Sequence, residues 1–222
     1  MSRTAHSTAS NFIVQTSAIT AINLTFGNAG SGTSAVTAAI SPGTNKLDIV
    51  TVTGSTSQVP TVTGAGGTWV LIASQFDGGG TRGVHMFRDL SGSPGSGALT
   101  LDFGGVTQSF IGWSVEEFSN TNASGTHGSG ALVQNVGTNS VGTSTGITAT
   151  LAAFGSANNV AYGFVRNNAA NAIVVGTGFS QLSNQLTAEI AAEWSLNQTA
   201  VAWSWFSQSV TSVTLAIEIR AQ

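Results

Sequence analysis

Val213-Thr-Leu-Ala-Ile-Glu-Ile-Arg220 is the stretch on which the fold turns. Val213, Leu215, Ile217 and Ile219 alternate with Thr214, Ala216, Glu218 and Arg220, and a period of two predicts a strand with one buried and one solvated face. On that pattern Glu218 and Arg220 are same-face neighbours, a solvated pair worth under about 1 kcal/mol. The same period recurs upstream. Residues 200–208 place Val201, Trp203 and Trp205 together, and residues 110–118 do the same for Ile111, Trp113 and Val115. Strands are also predicted over 46–53, 69–73, 84–89, 98–103 and 160–165. Weaker patterns occupy 19–26, 35–40, 146–151 and 177–182. Residues 184–195 could be helical, with Leu186, Ile190 and Trp194 at helical spacing, but the same residues share a face at period two and a strand is preferred. Short strands at this regular spacing predict an all-β protein, a sandwich or a barrel.

The connectors support that class. Asp77-Gly-Gly-Gly80 and Ser91-Gly-Ser-Pro-Gly-Ser-Gly97 read as turns, because glycine allows positive φ and proline fixes it. Residues 120–145 are dominated by Gly, Ser, Thr and Asn, with few residues able to pack. They read as one long surface loop crossing between sheets, with a linker between two domains as the alternative. No repeat at a period of about 20 to 50 residues is apparent, which disfavours a solenoid or propeller. The expected organisation is an N-terminal arm over 1–20 and a single sandwich domain over 21–222.

Composition bounds the partners. Only 7% of the 222 residues are charged, six basic and nine acidic, against about 25% in an ordinary soluble domain. Apolar residues make up 41%, and mean hydropathy is +0.22, so core material is ample. A net charge of −3 with scattered Lys and Arg argues against nucleic acid as the main partner. The chain has no cysteine, hence no disulfide and no thiolate metal site. The first residues lack the apolar stretch of a secretory signal, and no run approaches the length of a membrane helix. Synthesis in a cytoplasm with no cleaved leader is therefore expected, and no membrane partner.

From about Ser41 to Arg220 the order of features resembles glycine- and threonine-rich β-sandwich domains of phage virion proteins and bacterial surface proteins. The pattern opens with Val62-Thr-Gly-Ala-Gly-Gly-Thr-Trp69 and continues with Val84-His-Met-Phe-Arg-Asp89 and Ala98-Leu-Thr-Leu-Asp-Phe103. It then runs through Ser114-Val-Glu-Glu-Phe-Ser119 and Ala202-Trp-Ser-Trp-Phe206 to the final apolar strand. The resemblance implies an antiparallel two-sheet, jelly-roll-like sandwich used for attachment or for building particles. It transfers no catalytic motif to particular residues.

Candidate chemistry is sparse. Glu116 and Glu117 are the obvious carboxylate pair, but neighbours in a strand point to opposite faces and cannot share one sugar. A structural role at a strand end is expected. His6, His85 and His127 are too scattered for a zinc motif. Asp77 and Asp102 sit beside turns, where turn formation is favoured over calcium binding. No nucleophile elbow or phosphate loop is present. Trp69, Trp113, Trp194, Trp203 and Trp205 could line a glycan face, although three of them share strand faces with Ile or Val, as core residues do. No catalytic, cofactor-binding or metal-ligating residue is assigned, and no cofactor.

These observations lead to an expected non-enzymatic virion structural protein, a capsid decoration or fibre-like component acting through self-assembly as a homo-oligomer. Its partners would be copies of itself and other virion proteins, with the arm adding a strand or clasp to a neighbour. Alternatives are a carbohydrate-binding adhesin domain or a self-polymerising extracellular filament subunit.

Overall fold

The computed structural model describes residues 17–140, 144–168, 172–185, 189–206 and 210–222. The first half of the chain supplies β1 (Thr20–Ala29), β2 (Ser34–Val36), β3 (Leu47–Gly54), β4 (Thr61–Gly64), β5 (Val70–Phe76), β6 (Gly83–Leu90), β7 (Leu99–Asp102) and β8 (Ile111–Ser119). A short 3-10 segment, η1 (Thr126–Ala131), leads into the second half. There follow β9 (Leu132–Asn139), β10 (Gly146–Thr150), β11 (Val160–Asn167), β12 (Ile173–Val175), β13 (Ser180–Gln185), β14 (Ile190–Leu196), β15 (Ala200–Trp205) and β16 (Ser212–Ile219). The all-β, antiparallel character matches the expectation, and within residues 184–195 the described parts are the end of β13 and, after a turn at Glu189, β14.

The two-sheet sandwich occurs twice. In the first half a five-stranded sheet, β1-β8-β3-β6-β5, covers a three-stranded one, β2-β7-β4. In the second half the five-stranded sheet runs β9-β16-β11-β14-β13 and the three-stranded one β10-β15-β12. Renumbering the second set from one gives 1-8-3-6-5 over 2-7-4, the order of the first. Register makes the correspondence residue by residue. Leu47 of β3 pairs with Phe118 and Leu90, and Val160 of β11 pairs with Ile219 and Leu196. The turn before each strand also matches, with Lys46 N–H donating to the Gly43 carbonyl and Asn159 N–H to that of Ser156.

Each sandwich has its own core. Val50, Val52, Phe87, Trp113 and Val115 meet Leu99, Leu101 and Phe103 in the first. Ala161, Val165, Ala191 and Ala216 meet Val201, Trp203 and Trp205 in the second. The other faces of the two large sheets pack on each other through Leu47, Ile49, Met86 and Phe118 against Tyr162, Phe164, Leu215 and Ile217. Across this seam β1 lies against β13, β8 against β14, β6 against β16 and β5 against β9. Equivalent faces meeting in reversed strand order define an approximate two-fold axis, the arrangement of an isologous dimer within one chain.

Four layers explain where the pattern misled. β16 is buried along its whole length, on both faces. Glu218 is accordingly buried and accepts from Gln134 Nε2 and Asn159 Nδ2, each at 2.6 Å, so the solvated pair with Arg220 does not form. The predicted loop at 120–145 is corrected as well, since it contains η1 and β9. β9 escaped notice because it is an edge strand with alternating burial and few apolar residues. Of the expected arm, residues 1–16 lie outside the described residues, while Ile19 sits in the seam and Thr20 opens β1.

Gly163 lets the two sheets of the second sandwich approach closely, because a Cβ there would collide with Val201 Cγ1. Its counterpart by register in the first sandwich is Val50. Gly163→Val is expected to cost about 2 kcal/mol or more, read as a lower urea midpoint, whereas Val50→Ile should cost less.

Candidate functional site

Antiparallel register sets three carboxylates abreast. Asp48 on β3 pairs with Asp89 on β6 and with Glu117 on β8. Strands lie about 4.8 Å apart, and directly paired residues share a face. That face also carries Val50, Phe87 and Val115, so the row looks into the first sandwich at one end of its core. All three residues are buried. Glu117 accepts the Gly43 backbone N–H, and Asp89 Oδ1 lies 3.2 Å from His127 Nδ1 of η1. Asp48 Oδ1 has no partner. Burial, then the charges of Glu117 and Asp89, push the Asp48 carboxyl up to about 8, so Asp48 is neutral near pH 7.

Beside the row a cleft of about 270 Å³ opens between the turns at 66–68 and 90–92, with Asp89 at its base and His127 on its rim. Backbone strain gathers here. Ala65 and His127 have φ of 50° and 49°, left-handed values unusual for residues other than glycine. Gly67 lets the turn approach, since a Cβ there would lie 2.8 Å from Asp89 Oδ2.

The second sandwich shows that the fold does not demand this row. By register, Glu117 corresponds to Glu218, Asp48 to Ala161 and Asp89 to Ser195. Ser195 Oγ donates to the Gly178 carbonyl at 2.7 Å, bonding strand to turn where the first half leaves its cleft open. Two of the three acids are thus additions peculiar to one half.

Glu116 faces the other way, into the seam, as alternation along the strand requires. It is fully buried and accepts from Tyr162 Oη at 2.6 Å, Asn23 Nδ2 at 3.0 Å and Ser114 Oγ. Burial pushes its carboxyl up to about 7 against the pull of those three hydrogen bonds. Thr51 Oγ1 joins Tyr162 at 3.1 Å and Ser183 joins Ser114 at 2.8 Å, so one polar network ties the two sandwiches together. The adjacent glutamates therefore serve different cores.

The remaining candidates are dispersed. His6 lies outside the described residues. His85 is buried against Ser74 Oγ at 2.8 Å, and burial lowers its imidazole to about 4. Asp77 binds the Thr81 and Arg82 N–H groups, and Asp102 that of Gly104, as turn residues do. Trp113, Trp203 and Trp205 are core, while Trp69 and Trp194 are half-buried. Among the described residues no group of three or more His, Asp or Glu side chains is placed to hold a metal ion, and no helix is long and apolar enough to cross a membrane. Sequence reasoning missed Asp48 and Asp89. The available signal was their parity, since Asp48 alternates in phase with Val50 and Val52, and Asp89 with Phe87.

Comparison of the chain with protein-family models, with curated proteins and with solved structures returns no match.

Proposed function

We propose that this chain is a non-enzymatic structural protein of a virus particle, a decoration or fibre-like component that works by packing against copies of itself and other particle proteins. The observation that carries this reading is where the charges went. Of the nine acids, Asp48, Asp77, Asp89, Glu116, Glu117, Glu193 and Glu218 are buried, and Arg166 is buried too. Among the described residues only Asp102 and Arg220 are exposed charges, and Lys46, Arg82, Arg88 and Glu189 are half-buried. Apart from exposed apolar side chains such as Ile22, Val36 and Phe206, the outer surface of the described residues is largely Ser, Thr, Asn, Gln, Gly and Ala. Covering such a surface avoids the several kcal/mol that each desolvated ion costs, and charge depletion is the compositional mark of interface cores. The strand order supports the particle reading. In each half, 1-8-3-6 facing 2-7-4 resembles the strand order of a jelly roll, with the fifth strand on the larger sheet.

Sedimentation across micromolar concentrations tests the proposal. Mass should rise with concentration and persist in about 1 M salt, where ionic contacts are screened. A monomer throughout would overturn it.

A further inference from the structure

The acid row and its cleft are built beyond what the sandwich needs, as Ala161 and Ser195 in the second half attest. Asp89 is buried to 97%, yet it lines an open cleft with only Oδ1 facing His127 Nδ1, and behind it stand the neutral Asp48 carboxyl and Glu117. Nearby positive groups are few. Lys46 Nζ is engaged with Ser119 Oγ, and His127 stands at the rim. The cleft therefore favours a cation carrying several donors. A guanidinium suits it best, because its planar fork can bind a carboxylate at two points and the Thr68, Ser91 and glycine groups of the walls at others.

The chain carries such a cation outside the described residues. Residues 1–16 hold Arg3 and His6 and no Asp or Glu. The segment joins the body at Ile19 and Thr20, and Thr20 pairs with Ser119 at the sheet end that holds the acid row. Extended, it reaches roughly 50 Å.

We propose that the cleft over Asp89 and His127 is the seat for the N-terminal segment of a second copy of this chain, with the Arg3 guanidinium on the Asp89 carboxylate. This rests on the assembly reading above and names one of its contacts. Each copy then offers one arm and one seat, a heterologous contact that closes into a ring or extends into a chain of subunits.

The test uses full-length chains. Arg3→Gln keeps the seat and spoils the arm; Asp89→Asn keeps the arm and spoils the seat. A synthetic peptide of residues 1–16 should shift the His127 ring resonances of the Arg3→Gln chain, and the Asp89→Asn chain should bind it about tenfold more weakly or worse. Each variant alone should associate less than the wild type, and an equimolar mixture should recover heterodimers. Binding of the peptide to the Arg3→Gln chain reads the seat directly, so docking is measured apart from folding. The inference is overturned by a peptide that leaves His127 unmoved, by a mixture that stays unassociated, or by association indifferent to both substitutions. A wild-type chain that is monomeric while the Arg3→Gln chain still binds the peptide would overturn the assembly reading and, with it, the second copy as the source of the arm, leaving only the seat.

Discussion

Raising the pH from about 5 to about 9 is expected to destabilise the protein, by on the order of 1 kcal/mol per unit over part of that range. Burial lifts Asp48 to about 8, Glu116 to about 7 and Glu193 to about 8, the last against hydrogen bonds from the Gly176 and Ala202 backbones. Each folded value lies above the ordinary one. The folded chain therefore holds protons that the unfolded chain has released, and stability drains away as pH climbs towards 7 and 8. His85 works in the opposite sense. Its folded value, about 4, lies below the ordinary 6.5, so its contribution is complete above that pH and lost as pH falls through 4. Three acids outweigh one imidazole, which places the optimum on the acid side of neutrality. Urea midpoints from pH 5 to 9 should fall, and Asp48→Asn should flatten the decline and raise the midpoint at pH 9. A midpoint that is level or rising from pH 6 to 9 would contradict this account.

Tyr162→Ala is expected to cost about 3 to 5 kcal/mol, the range for emptying a buried aromatic site, and to loosen the seam between the sandwiches. The ring is fully buried and stands edge-on to Phe118, with centroids 5.4 Å apart. Its hydroxyl donates to Glu116 and contacts Thr51. Tyr162→Phe separates the hydroxyl from the ring and should cost about 1 to 3 kcal/mol, because Glu116 then loses a donor it cannot replace with water. Glu116→Gln in the Tyr162→Phe background should be milder than the sum of the single changes, since the partners share one network. Calorimetry of the four proteins checks the cycle, and strict additivity would show that the hydroxyl and the carboxylate are energetically independent.

The sandwich class was legible because β8, β15 and β16 carry large apolar residues at period two along much of their length. The doubling was not. Equivalent positions carry unlike residues, such as Asp48 and Ala161, Thr51 and Phe164, or Glu116 and Ile217, so the halves match in register and hardly in sequence. Burial on both faces also removed the polar side that alternation normally displays. Thr214 and Glu218 looked solvated only because no second layer could be foreseen above them. For the acids, parity showed that Glu116 and Glu117 part company. It took the pairing of β3 with β6 and β8 to bring Asp48 and Asp89 beside Glu117.

Joining the two sandwiches in one polypeptide permits something a pair of identical subunits could not have. In a true homodimer every substitution appears twice, and a costly cluster of buried acids would have to be tolerated on both sides. Here one half can keep Ala161 and Ser195 as plain filling while the other accumulates carboxylates. The near-symmetric frame supplies the rigidity, and freedom to diverge belongs to one side alone.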